Sequence, residues 1–346
     1  MPADDKPLLE RLRARVGAQN APDVARDPVN AAMIRHWCDA MADENPVYTN
    51  PDVAAKSIHS GIVAPPAMLN AWTMPGLPGR RGNDASMSPM RALDAAGFES
   101  VIATNSEHEY LRYLRPGDLL RGYSELVDVS EQKETALGLG HFVTSRTTYR
   151  TQNGQEAGRM FFRLLKFRPG TGRAASSGTG RSASSGTGRA VQPPATSAAA
   201  ARELPPRPPR RETTLRAAEI GPGDALAPCA VPITTTLIVA GAIASRDYQD
   251  VHHDRDAAIR RGTPDIFMNI LTSSGLVARY VTDWAGPEAL LTALRIKLGA
   301  PNYPGDVMRL AGRVAKAEAG RVEVALRGSN RLGDHVTGTV ELRLPA

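Results

Sequence analysis

Cysteine is scarce in this chain: Cys38 and Cys229 are its only two in 346 residues. Two cysteines so far apart make neither a CxxC metal pair nor a disulfide framework. Cys38, inside the helix-like run AAMIRHWCDAMA, reads as a small buried core residue. Long apolar runs are also missing. The longest, near 233–244, is short of the roughly 20 residues that span a bilayer. The opening MPADDKPLLERLRARVG is charged and has no apolar signal-peptide core. These absences predict a cytoplasmic protein with no membrane partner.

A formal charge of +6 invites a nucleic-acid reading, but its distribution excludes one. Residues 169–211 hold seven arginines, one acid (Glu203) and no lysine, so 7 − 1 = +6. The regions on either side are together near neutral. The charged segment is of low complexity, with GTGR at 170–173, 178–181 and 186–189 and then LPPRPPRR. Such a composition buries no core and predicts a disordered linker. Its arginines are sparse and lack interleaved aromatics, so no nucleic-acid partner is expected.

The linker separates 1–168 from 212–346, and the two parts resemble each other. At an offset of 204, Asp43-Glu-Asn-Pro-Val-Tyr48 falls on Asp247-Tyr-Gln-Asp-Val-His252, and Ile62-Val-Ala-Pro65 falls on Ile266-Phe-Met-Asn269. Further on, Pro116-Gly117-Asp118 matches Pro304-Gly305-Asp306 at offset 188. Three landmarks in one order indicate a duplicated domain. Each half reads as an apolar segment, an Asp…Tyr/His turn, a helix and then antiparallel strands. The helices are PPAMLNAWTM, with Pro66 in its first turn, and PDIFMNILTSSGLVARYVTDW, starting at Pro264. The strand signals are LLRGYSELVDVS, TALGLGHFVTSRTTYRTQ and AGRMFFRLLKFR, then ALLTALRIKLG, DVMRLAGRVAKAE, RVEVALRGSN and VTGTVELRL. The fold class is therefore α+β, without the βαβ alternation of parallel sheets.

The chemistry concentrates at 246–256, RDYQDVHHDRD, where four acids flank two histidines. His252 has an unperturbed pKa close to neutrality, which suits proton transfer. Asp247 can orient or share that proton. A solvated turn would use the same residue types. A metal site at HHD lacks a third clustered ligand, so no metal is expected. In the first half Tyr48 stands where His252 does, and a phenol of pKa about 10 is a poor base. Pro65 stands where Asn269 does, and proline has no N–H to donate. Asp43 and Asn45 then read as turn or cap residues.

Ser245-Arg-Asp247-Tyr-Gln249-Asp-Val-His252-His-Asp254, five residues from Asp to His and ahead of a long helix, resembles the MaoC-type enoyl-CoA hydratases of the hotdog fold. More narrowly, ASRDYQDVHHDRD, DIFMNILT and RYVTDWAGP resemble the small subunit of the two-subunit hydratases of actinobacterial steroid side-chain degradation. The first half is similar to the MaoC part of the large subunit, so the chain reads as both subunits fused. The resemblance implies a tandem hotdog and reversible hydration of a steroid enoyl-CoA, a 17(20)-unsaturated C22 acyl-CoA giving the 17-hydroxy product. It implies no cofactor beyond the CoA of the substrate.

It also assigns roles. Asp247 and His252 are catalytic. The N–H at Asn269, where the family has glycine, and Ser274 bind the thioester. Asp43, Tyr48, Pro65 and Trp72 line the acyl pocket of the disabled half. That half's helix is cut short by Pro75, Gly76, Pro78 and Gly79, which leaves room for a bulky ring system; the other reading is a surface loop with the helix resuming at 89–97. Arg260, Arg261, Arg279, Arg295 and Lys297 are the candidates for the CoA phosphates. The halves pair with each other, two chains pair as a homodimer, and an aldolase joins through a separate OB/zinc-ribbon protein. The rival readings are an acyl-CoA thioesterase and a non-catalytic acyl-CoA-binding protein.

Overall fold

The computed structural model describes residues 6–77, 89–171 and 207–345. Its strands are β1 (Asp23–Val24), β2 (Ser100–Tyr110), β3 (Arg121–Val129), β4 (Lys133–Glu134), β5 (Leu139–Arg150), β6 (Glu156–Phe167), β7 (Ala225–Pro232), β8 (Leu290–Leu298), β9 (Val307–Glu318), β10 (Arg321–Asn330) and β11 (Gly333–Arg343). They form one antiparallel sheet in the order β1-β3-β5-β6-β2-β8-β11-β10-β9-β7, with β4 on β5. The halves meet where β2 pairs with β8, from Asn105↔Lys297 to Glu109↔Ala293. β2 and β7 carry no strand signal in the reading above.

Duplication shows in the backbone hydrogen bonds. Gly117 N–H donates to Val29 O, and Gly305 N–H donates to Ile233 O, each at 2.8 Å. Asp118 accepts from Arg115 N–H and Asp306 from Tyr303 N–H. Both glycines have positive φ, 96° and 88°, which an L side chain rarely adopts. The apolar segments that open each half are helices, Ala31–Met41 and Thr235–Ala244. A residue with positive φ follows each, Ala42 and Arg246, directly ahead of Asp43 and Asp247.

The second half is built on the helix Ile270–Ala285, in which every residue but Trp284 is buried. An interior helix must satisfy its own polar groups. Ser274 Oγ donates to Ile270 O at 2.9 Å and Thr282 Oγ1 to Ala278 O at 3.1 Å. The helix begins at Ile270 and not at Pro264. Asn269 is the reason, because its side chain accepts Thr272 N–H at 2.8 Å as an N-cap.

In the first half the expected helix over 65–74 is two 3-10 turns, Pro66–Met68 and Ala71–Thr73. The stretch between Pro66 and Pro75 is too short to offset the cost of helix nucleation, and Met74 is held extended ahead of a proline. A short helix does resume, at Pro89–Ala95. Residues 78–88, and the expected disorder of 172–206, lie outside the described residues. Arg207 and Arg211, assigned to the linker above, are bonded to the folded halves instead: Arg207 to Ala42 O and Asp283, and Arg211 N–H to Asp283 O.

The seam is close-packed. A Cβ on Gly275 would lie 2.9 Å from Trp37 Cζ2 and 2.9 Å from Met41 Sδ. Gly275→Val should therefore destabilise the chain by about 1–3 kcal/mol, the cost of overpacking, while Gly221→Ala, with open space around it and no positive φ, should cost much less. Chemical denaturation of both variants checks this; equal midpoints would contradict the close approach.

Candidate functional site

The turn after the Thr235–Ala244 helix places Asp247. Asp247 N–H donates to Ala242 O at 2.9 Å, which requires the left-handed Arg246 (φ 58°) before it. A 3-10 turn, Asp250–His252, then brings His252 back towards Asp247. His252 Nδ1 lies 2.7 Å from Phe267 O, so that nitrogen carries the proton and donates. His252 Nε2 is left with a lone pair, 3.5 Å from Asp247 Oδ2. That separation is too long for a strong direct bond and suits a shared proton-bearing group between them. Phe267 packs its ring edge-on against the imidazole, with centroids 5.1 Å apart.

Asn269 ties these parts to the buried helix. Its Nδ2 donates to Asp247 Oδ2 at 3.1 Å and to Ser245 Oγ at 3.0 Å, while its Oδ1 caps the helix. The sequence pointed to the Asn269 N–H; the side chain's grip on Asp247 was not foreseen. The first helical turn presents N–H groups with no intrahelical acceptor and a positive dipole end. Ser274, the other expected thioester contact, spends its hydroxyl proton on Ile270 O. At the preceding position, Ser273 Oγ is 2.8 Å from His335 Nε2, and His335 Nδ1 is 2.7 Å from Ala300 O. Nothing in the motif pointed to Ser273 or His335, which meet only across 62 residues of chain.

Burial sets the protonation state. Desolvation lowers the His252 pKa, and the nearby Asp247 carboxylate opposes that shift in part. The imidazole is therefore neutral at pH 7, with Nε2 free to accept a proton. Asp254 caps the short helix Arg255–Arg260, its side chain accepting Ala257 N–H at 2.9 Å.

The equivalent place in the first half has no base. Burial raises the pKa of Tyr48 well above its ordinary value, helped by Tyr113 and Asp43. Burial also raises that of Asp43. Asp43 accepts Asn45 N–H at 3.1 Å, and Asn45 caps the next turn through Val47 N–H, the structural roles expected of them. Pro65 is buried, and Trp72 is buried in the same core cluster as Tyr48. Arg279, a CoA candidate, belongs to this seam: its guanidinium donates to Met41 O and faces Asp283 at 3.8 Å. Arg207 completes the cluster, at 2.9 Å from Asp283 and 2.7 Å from Ala42 O. Its place in LPPRPPRR hid it from the sequence reading.

Arg295 and Lys297 do not face the catalytic turn either. They alternate with buried Leu294 and Ile296 on β8, which puts them on the sheet face away from the central helix. Arg295 pairs with Glu341 and borders a cavity of about 850 Å³ with His59, Tyr113 and Arg343, none of them at the Asp247–His252 pair. Arg260 and Arg261 lie on the exposed helix end just after His252, and Arg261 bonds Asp250 at 2.8 Å. Of the basic candidates, these two are the ones near the site in the chain.

Two outcomes test this geometry. Asn269→Ala should cost about 1–2 kcal/mol by denaturant unfolding, as loss of a cap does. The His252 imidazole should titrate below the ordinary value of about 6.5 by NMR. In Asp247→Asn it should titrate lower still, because the carboxylate that favours its charged form is gone. A His252 pKa at or above the ordinary value would contradict the burial argument.

The profile of the FAS1-like dehydratase domain region matches residues 14–159. The chain is 54% identical over 109 residues to the beta subunit of 3-oxo-4,17-pregnadiene-20-carboxyl-CoA hydratase of Mycobacterium tuberculosis, covering 32% of this chain and 84% of that subunit. It is 42% identical over 156 residues to the alpha subunit, covering 45% of this chain and 50% of that subunit. It thus spans about half the length of that relative. Among solved structures, a MaoC-like dehydratase superposes with a TM-score of 0.72 at 20% identity, covering 97% of this chain and all of that one. A conserved Mycobacterium tuberculosis protein described as having a double hotdog fold gives 0.58 at 13% identity, over 93% and 95% of the two chains. With a duplicated antiparallel sheet that wraps a buried helix in its second half, the Asp247–His252 pair ahead of that helix and a beta-subunit relative matched over most of its length, the chain belongs to the MaoC-like dehydratase and enoyl-CoA hydratase family and is a double hotdog.

Proposed function

We propose that the chain reversibly adds water across the α,β double bond of a steroid enoyl-CoA, a 17(20)-unsaturated C22 acyl-CoA giving the 17-hydroxy product. The observation that carries the reaction is a neutral, buried His252 with Nε2 facing an Asp247 carboxylate, which Asn269 anchors to a helix N-terminus. In the forward direction a water between the two groups gives a proton to His252 Nε2 as its oxygen bonds the β-carbon. The π electrons shift to the thioester, whose oxygen gains negative charge beside the N–H groups of the first helical turn. The proton then goes to the α-carbon, so one water is added and the base is restored. No added cofactor enters this account; CoA arrives as part of the substrate.

The steroid part rests on the two hydratase subunits, whose named substrate has a 3-oxo group at one end and the thioester at the other. Their alignments, 109 and 156 residues long, cover 32% and 45% of this chain, each less than one half. The chain then combines a catalytic half and a substrate-holding half. Association of two chains, and of an aldolase through a separate OB/zinc-ribbon protein, are parts of the same proposal. A thioesterase would need a free carboxylate on the central helix, and the acid there, Asp283, is engaged by Arg207 and Arg279. Among the described residues no helix is long and apolar enough to cross a membrane.

Loss of enoyl-thioester absorbance, with mass analysis for added water, should show turnover of a C22 17(20)-enoyl-CoA. His252→Ala should lower kcat by about 10²–10⁴-fold. The acid limb of kcat/KM should lie below pH 6.5, because rate falls only as His252 becomes protonated. Turnover of crotonyl-CoA alone would keep the hydratase and remove the steroid. Release of free CoA without hydration would identify a thioesterase instead.

A further inference from the structure

The inward faces of the two half-sheets differ in chemistry. Under the central helix, rows across the strands read Leu294–Val340–Val324–Val314 and Leu291–Leu342–Val322, all aliphatic. The same face continues across the β8–β2 seam, where Leu294 stands beside His108 and Ile296 beside Ser106. There the rows become His108–Met160–Thr147–Ser124 and Ser106–Phe162–Ser145. The next row is Tyr110–Gly158–Tyr149.

No long helix covers this second floor among the described residues. The 3-10 turns cover one end, where a Cβ on Gly158 would lie 2.8 Å from Leu69 Cδ2. The Pro89–Ala95 helix covers the other, where Leu93 packs with Val129 and Val143. Between them Met160, Phe162, Ser124 and Ser145 are only partly buried.

The polar groups of the floor are incompletely paired. Ser106 Oγ is 2.8 Å from His108 Nε2, and Ser124 Oγ is 2.8 Å from Thr147 Oγ1. Among the described residues His108 Nδ1 and Tyr110 Oη are buried with no hydrogen-bond partner, as are Trp72 Nε1 and Asn70 Oδ1. Burial pushes the His108 pKa down to about 4, so the ring is neutral and offers one N–H and one lone pair. With Ser106 on Nε2, Nδ1 is left for something else. A floor that only had to pack would carry valine and leucine, as its duplicate does, because each unpaired buried polar atom costs free energy. The floor also connects to the reaction site. A Cβ on Gly122 would lie 3.5 Å from both Thr73 Oγ1 and Tyr149 Cε1, and three residues after Thr73 a Cβ on Gly76 would lie 3.5 Å from Nη2 of Arg246, the neighbour of Asp247.

We propose that this polar floor receives the end of the acyl group farthest from the thioester, and that His108 and Tyr110 hydrogen-bond an oxygen substituent there, a ring ketone or hydroxyl. The inference rests on the steroid-CoA reading and adds the residues that set its specificity. Asp247 and His252 carry the chemistry; His108 and Tyr110 select the ring.

The test compares kcat/KM for two ring-bearing enoyl-CoAs that differ only by the distal oxygen. Wild type should favour the oxygenated thioester by at least about tenfold, since unpaired polar groups penalise the analogue that lacks it. His108→Phe with Tyr110→Phe should bring that ratio to about one, and His108→Gln, which keeps a donor and an acceptor, should restore part of it. Crotonyl-CoA turnover by each variant measures how much folded, active enzyme is present, and the ratio cancels that amount. A ratio unchanged in the double variant overturns the proposal, as does a wild type that does not distinguish the two. If wild type hydrates crotonyl-CoA and neither ring thioester, the steroid reading fails and this inference falls with it.

Discussion

The rest of the site depends on one side chain, the Asn269 carboxamide. Its oxygen starts the central helix by taking an N–H that would otherwise be buried without a partner. Its nitrogen holds Asp247, and through Ser245 it reaches the end of the preceding helix. Because the helix is sunk in aliphatic sheet, its N-terminus cannot move without disturbing the core. Asp247 inherits that rigidity. His252, held from the other side by the Phe267 carbonyl, meets the carboxylate across a gap fixed by two rigid anchors. Such fixed geometry is what proton transfer to a bound substrate requires.

Duplication explains how one chain supports both a rigid site and a permissive one. The two halves repeat the same glycine turn, the same left-handed residue and the same aspartate. One copy kept the histidine and a full central helix. The other lost both, and its Asp43 and Asn45 became turn and cap residues. The seam between them is not merely apolar: Arg279 and Arg207 share Asp283, reach the backbone of Met41 and Ala42, and leave a buried charge cluster whose loss on one side would strand the other. The segment after the linker is therefore part of the folded unit.

The sequence made much of this legible. Aliphatic alternation revealed β8 to β11, since those strands face a helix and must be apolar on one side. The Asp…His spacing, the 204-residue offset and the breaks at Pro75 and Gly76 located the competent and the disabled half. β2 stayed hidden for a physical reason: its inward residues are Ser106, His108 and Tyr110, so SVIATNSEHEY has no apolar stripe to detect. The start of the central helix was misplaced because Pro264 is a good first-turn residue, and only the three-dimensional bonds of Asn269 show that the cap lies five residues later.

What the sequence determined by itself is the chemistry available: two copies of one domain, and a histidine and an aspartate in just one of them at a spacing that a turn can close. Tertiary structure alone decided which basic residues are free. Arg279 looked like any surface arginine but is buried in the seam, and Arg295 and Lys297 point away from the central helix because strand residues alternate faces. It also decided that the His108 and Tyr110 groups meet on one floor. Contacts between residues tens of positions apart are set by strand register and helix packing, and neither is encoded in any local stretch of the chain.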